Sequence, residues 1–163
     1  VGFGLSIKGE QPGARKDKVD ALLRMVGLGG AGDRRPDELS GGMRQRAALA
    51  RALAMDPKVL LMDEPFAALD IQTRARMQDH LLTIWRASGA SVLLVTHSID
   101  EALALADRIV VFTARPGQIK AEITVETPRP RDLRSPEMID LARRCEALLA
   151  EEVTKAFKEQ ELL

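Results

Sequence analysis

Two short stretches of this chain carry residues whose types and spacing suit chemistry on a phosphate. Leu39-Ser-Gly-Gly-Met-Arg-Gln-Arg46 sets a hydroxyl and two glycines ahead of an alanine-rich run. Ser40 can cap a helix there, and Gly41 and Gly42 leave the backbone N–H groups at its start uncovered. A helix start carries about half a positive charge and unpaired donors, which favour an anionic group. Val59-Leu-Leu-Met-Asp-Glu-Pro65 is a short apolar run that ends in two adjacent carboxylates. Asp63 and Glu64 then fall at a strand end, where a parallel sheet presents its ligand edge. Each stretch also has an ordinary reading, as a capped helix and as a pair of surface acids. His97 closes a third apolar run, Val92-Leu-Leu-Val-Thr96, and a lone histidine at a strand end is commonly structural or solvated.

The elements that must hold these residues follow from the apolar spacing. Val19, Leu22, Leu23 and Val26 recur at helical spacing, and Gly27 suits a left-handed stop. Lys8 to Lys16 and Gly29 to Glu38 read as polar loops. A second helix runs from Ser40 to about Met55, and Pro57 prevents its continuation. Val59 to Met62 is a continuous apolar run, expected of a strand buried on both faces. Ile71 to Ala87 is helical, with Asp70 as its N-cap, and Ser91 to Thr96 is a further strand. Ser98-Ile-Asp-Glu101 reads as a capping box opening a helix to about Ala106. Ile109 to Thr113 and Gln118 to Val125 form strands joined at Arg115-Pro-Gly117, and a last helix begins at Ser135-Pro-Glu. Cys145 lies on that helix's apolar stripe as a packed thiol, and His80 reads as an exposed residue. The β-α-β-α-β order predicts an α/β fold with a parallel sheet.

Taken together, the stretches resemble the signature motif and the Walker B segment of ATP-binding cassette (ABC) ATPases, at the family's spacing. Pro128-Arg-Pro-Arg-Asp132 and Ser135-Pro-Glu137 are similar to the nitrate/sulfonate/taurine branch of importer ATP-binding subunits. The resemblance implies that Ser40, Gly41, Gly42 and Gln45 face the terminal phosphate of ATP held by the opposite subunit of a head-to-tail dimer. It assigns Asp63 to Mg²⁺, through water, and makes Glu64 the general base that polarises the attacking water. Pro65 to Asp70 resembles the D-loop that crosses the dimer interface, with Ala67 where serine is common, so Asp70 serves there as well as at its helix cap. His97 matches the switch histidine, which senses the terminal phosphate and positions water with Glu64. Arg44 and Arg46 are left to packing and surface charge.

The implied fold is a partial P-loop NTPase domain with a parallel sheet, part of the helical signature subdomain, and a C-terminal β-hairpin and helix, in three parts. Residues 1–56 form part of the helical subdomain with the signature motif, and 57–126 the C-terminal part of the ATPase core. Residues 127–163 form a connector and an amphipathic helix. No G-x-x-x-x-G-K-[ST] phosphate loop occurs in these residues, and Gly27 to Gly32 lacks the required Lys-Ser/Thr pair. Nor do they hold a Q-loop glutamine or an aromatic adenine-stacking loop. Hydrolysis by this chain alone is therefore not expected, because phosphate positioning is most of such catalysis.

Composition bounds the partners. The 163 residues include 24 basic and 24 acidic ones, so net charge gives no case for nucleic-acid binding. The one cysteine excludes an internal disulfide and fits a reducing compartment. Aromatics make up 3%, tyrosine is absent, and no apolar run approaches the roughly 20 residues of a membrane span. Without a basic-then-apolar leader, the expected location is cytoplasmic, peripheral on the inner face of the membrane. The partners that the resemblance implies are a second ATPase subunit, a membrane permease and, indirectly, a substrate-binding protein. Competing readings are a non-transport ABC ATPase of DNA-repair type and a non-catalytic remnant that binds an intact partner.

Overall fold

A computed structural model describes residues 1–67 and 69–160, which fall into two compact units, Val1–Val95 and Thr96–Leu163. The first unit opens with two helices, α1 (Phe3–Ile7) and α2 (Pro12–Met25). Helix α2 begins earlier than its apolar spacing suggests, because Pro12 supplies a preset φ at the first turn after the extended Gln11. Its first turns are polar and largely exposed, so they left no apolar stripe to read. A 3₁₀ turn (Pro36–Glu38) then leads into α3 (Gly41–Leu53), and the Glu38 carboxylate accepts the Arg35 N–H at 2.7 Å.

Strand β1 (Val59–Asp63), helix α4 (Ile71–Ser88) and strand β2 (Ser91–Val95) form a β-α-β unit. Gly89, at φ 65°, ends α4 in the left-handed conformation that glycine adopts without a Cβ penalty. The strands pair in parallel from Val59 opposite Ser91 to Asp63 opposite Val95. Leu5, Leu22, Leu23, Val26, Leu53, Leu60 and Ile84 form the core, with Met62 and Val92 packed against it. All four helices thus contribute to the cluster beneath one face of the sheet.

The other face overturns the expectation of a strand buried on both sides. Val59 and Leu61 are 56% and 70% exposed, and Leu93 and Val95 opposite them are 59% and 54% exposed. Alternate side chains of a strand point to opposite faces, and within the first unit the helices pack on the Leu60 face alone.

The second unit contains α5 (Ile99–Leu105), β3 (Arg108–Phe112), β4 (Ile119–Thr124) and α6 (Pro136–Gln160). As the hairpin-type turn at Arg115-Pro-Gly117 predicts, β3 pairs antiparallel with β4, and the parallel sheet has two strands among the described residues. Leu103, Val125 and Met138 form the core, joined by Ile99, Ile109, Leu133, Leu141 and Ala142. Arg131 ties the connector to α5 by donating to the Leu103, Ala106, Val125 and Thr127 carbonyls. Burial, helped by neighbouring Arg129, lowers its pKa below the ordinary guanidinium value. Lys120 of β4 reaches Leu148 O, Glu151 and Glu152 of α6 at 2.7–2.8 Å, and these carboxylates raise its pKa. Cys145 is buried on α6 as expected, and burial raises its thiol pKa. No helix among the described residues is long and apolar enough to cross a membrane.

The two faces of β1 predict opposite mutational costs in this chain. Leu60→Ala should cost about 2–5 kcal/mol and Leu61→Ala within about 0.5 kcal/mol, read by urea denaturation. Equal costs would show that the outer face is covered in solution.

Candidate phosphate-facing site

The first part of the site is the start of α3. Ser40 is its N-cap, in extended conformation, and its Oγ accepts the Met43 N–H at 3.3 Å. The Ser40 carbonyl accepts the Arg44 N–H at 2.9 Å, so the helical ladder begins here. The earliest N–H groups of a helix have no intrahelical acceptor, which leaves those of Gly41 and Gly42 open to a partner from outside the helix. Neither glycine has positive φ. A Cβ on Gly41 would meet nothing within 4 Å, and one on Gly42 would make ordinary contacts with Leu69 and Thr73 at 3.5 and 3.6 Å. Packing inside the chain therefore does not require glycine at either position. Close approach by an outside group does give a reason for it.

Gly42 also brings α3 beside the start of α4. Asp70 caps α4 as expected, accepting the Thr73 N–H at 3.0 Å. The Thr73 side chain and amide hold the Asp70 carboxyl below its ordinary pKa. Two arginines assigned to general packing or overlooked have a shared local role. Arg44 donates to the carbonyl of Leu39 and Arg74 to that of Leu69, each at 3.1 Å. Each arginine stands four residues after its N-cap and grips the carbonyl just before it. That repeated spacing was the available signal in the sequence. Arg46 is tied to the Gly27 carbonyl at 3.4 Å, linking α3 to the end of α2.

The acidic pair is set by the sheet. Asp63 is exposed at the last position of β1, opposite Val95. Glu64 follows at φ 46°, a left-handed backbone that costs a non-glycine residue about 1–3 kcal/mol. Its N–H donates to the Val95 carbonyl at 2.9 Å, which holds the kink against that cost. The chain then turns through Pro65, with Phe66 and Leu69 buried as anchors. Ala68, within this Pro65–Asp70 loop, lies outside the described residues. His97 is exposed in the second unit, just after Thr96.

These residues fit a triphosphate and Mg²⁺ as partial donors. Gln45 Oε1 is buried with no hydrogen-bond partner among the described residues, and such an orphan costs about 1–3 kcal/mol. That oxygen is an acceptor, so only an outside donor would satisfy it, and toward a phosphate Gln45 could offer only its Nε2 amide. No cluster of three or more metal-ligating side chains occurs among the described residues. A single carboxylate at Asp63 is still compatible with Mg²⁺, which usually takes one or two carboxylates and completes its shell with waters and substrate phosphates.

Residues 4–67 match the ABC transporter family. The chain is 48% identical to an aliphatic sulfonates import ATP-binding protein of Bacillus licheniformis, covering 99% of this chain and 61% of the relative. It is 57% identical to a taurine import ATP-binding protein of Mesorhizobium japonicum, over 73% of this chain and 46% of the relative. It is 45% identical to a nitrate import ATP-binding protein of Synechocystis sp., over 91% and 59%. Among solved structures, cbiO1 of Clostridium perfringens, part of the ABC transporter complex cbiONQ, is 30% identical with a TM-score of 0.61, over 67% of this chain and 43% of that one. The fold is therefore that of a partial ABC ATPase domain. The chain matches the C-terminal part of the taurine, nitrate and sulfonate import proteins and spans about half to three-fifths of their length.

Two outcomes test the cap geometry. Gly41→Ala and Gly42→Ala should leave the melting temperature unchanged or raise stability by up to about 1 kcal/mol. A loss of stability would instead mean that packing requires these glycines. Because the Asp70 pKa is depressed, its contribution is present above the unfolded carboxylate pKa and lost as pH falls through the lower folded value. Asp70→Asn keeps a capping oxygen and should flatten that acid-side loss in thermal melts from neutral pH downward. An unchanged pH profile would contradict the assignment.

Proposed function

We propose that this chain is the C-terminal part of the ATP-hydrolysing subunit of an ABC importer for a nitrate-, sulfonate- or taurine-like solute. The observation that carries the reading is the start of α3. Its first amides have no intrahelical acceptor, its glycines are not needed for internal packing, and Gly42 lies against Leu69 and Thr73, on either side of the Asp70 cap.

In this reading Ser40, Gly41, Gly42 and Gln45 receive the terminal phosphate of a nucleotide bound by the partner subunit. Oriented amides at a helix start stabilise charge on transferring oxygens without reorganising during the reaction. Asp63 supplies an oxygen donor for Mg²⁺, and the metal would neutralise phosphate charge when bound. Glu64 holds a carboxylate at the sheet edge to take a proton from water, and His97 orients that water against the phosphate. Asp70 carries the loop toward the subunit boundary. Natural partners are a second ATPase subunit and a membrane permease, with a substrate-binding protein beyond it. The location is the cytoplasmic face of the cell membrane, and residues 1–40 face the permease. The 163 residues contain no phosphate loop, so they do not turn over ATP by themselves.

Mixing experiments test this reading. ATP and Mg²⁺ with the chain alone should give no turnover above background. Adding a full-length sulfonate-type subunit whose own signature is disabled should restore hydrolysis, through the signature on this chain. Gly42→Arg in this chain should abolish that rescue. Turnover by the chain alone, or rescue unaffected by Gly42→Arg, would overturn the proposal. Stimulation by DNA would favour a DNA-repair-type ATPase.

A further inference from the structure

We propose that Thr96 and Glu101 form a clasp that positions His97, an inference resting on the role just given to that histidine. Glu101 is the buried carboxylate of α5, 4% exposed, although its place in the first turn of a short helix would ordinarily put it in water. Its Oε2 accepts the Thr96 hydroxyl at 2.7 Å. With its proton committed to Glu101, the same hydroxyl oxygen accepts the Ser98 N–H at 3.0 Å. Ser98 Oγ accepts the Glu101 N–H at 3.3 Å. The sequence reading expected a simple capping box between Ser98 and Glu101; the structure routes it through Thr96, whose hydroxyl relays between the Ser98 amide and the carboxylate.

This relay closes a ring of hydrogen bonds over residues 96–101, and His97 lies exposed inside it, between Thr96 and Ser98. Thr96 is bonded directly to Val95, whose carbonyl receives the Glu64 N–H. The clasp therefore fixes the backbone on both sides of His97 just where the chain leaves β2. An N-cap needs Ser98 alone. A buried carboxylate bonded to the preceding threonine goes beyond that need, because it immobilises the two peptide groups that orient the imidazole. Glu101 and Thr96 are positioning residues in this account and touch no substrate.

Two readouts test the clasp. In the chain itself, NMR follows Ser98 amide exchange and the His97 χ1 distribution. Thr96→Val and Glu101→Ala should each raise Ser98 exchange about tenfold or more and average the His97 rotamers, while Thr96→Ser retains both. Unchanged exchange and rotamers in folded Thr96→Val would overturn the proposal. For hydrolysis, the chain is fused behind the N-terminal part of the Bacillus licheniformis relative. Thr96→Val should lower kcat about tenfold at unchanged KM, and Thr96→Ser should restore it. In a His97→Ala background Thr96→Val should have no further effect. An equal additional fall there would mean a general stabilising role and defeat the proposal. If His97→Ala alone leaves kcat intact while the NMR changes appear, the clasp stands and the catalytic reading of His97 fails.

Discussion

The register between β1 and β2 is the constraint on which the first unit depends. Parallel pairing from Val59–Ser91 to Asp63–Val95 brings both strands to an end at the same level, and the Glu64 N–H then closes onto the Val95 carbonyl. A slip by one residue would exchange the two faces of a strand. Leu60 and Met62 would turn away from the helices, and Leu61 would turn into them. The same slip would move Asp63 from the exposed face. Burial of Leu60 against Ile84 and the helical core thus selects the register that leaves the acids at the sheet edge.

The helix starts depend on that arrangement through Gly42, which lies against Leu69 and Thr73 at the start of α4. Ser40 and Asp70 cap their helices in the same way, and Arg44 and Arg74 brace the preceding carbonyls. Two helix starts side by side concentrate partial positive charge. Asp70 offsets part of it on α4, while α3 has a neutral serine cap and two bare glycines. The asymmetry leaves α3 as the end better suited to an external anion.

Much of this was legible from local signals. Ser40 and Asp70 read as caps because each precedes a helical apolar pattern, and Gly27, at φ 70°, is the left-handed stop that its place after Val26 suggests. The parallel pair could be read from two apolar runs separated by an amphipathic helix. The outer face of β1 could not: Val59 and Leu61 are as apolar as Leu60, and composition does not reveal that one face lacks cover. The pairing of β3 with β4 was legible in the Arg115-Pro-Gly117 turn, which is short enough to return the chain antiparallel. The Thr96 relay was hidden because a capping box and its threonine-extended form share the same Ser-x-x-Glu spacing. Catalytic roles came from family resemblance, since an Asp-Glu pair at a strand end does not name its substrate.

The central claim is that the kinked residue after β1 presents a base to a phosphate-bound water. It is tested most directly by single-turnover ATP hydrolysis in the N-terminally completed fusion carrying Glu64→Gln. Loss of the carboxylate should lower the hydrolysis rate by about a hundredfold or more, with nucleotide affinity unchanged, as expected for removal of a general base. Hydrolysis at an undiminished rate with normal affinity would contradict the account.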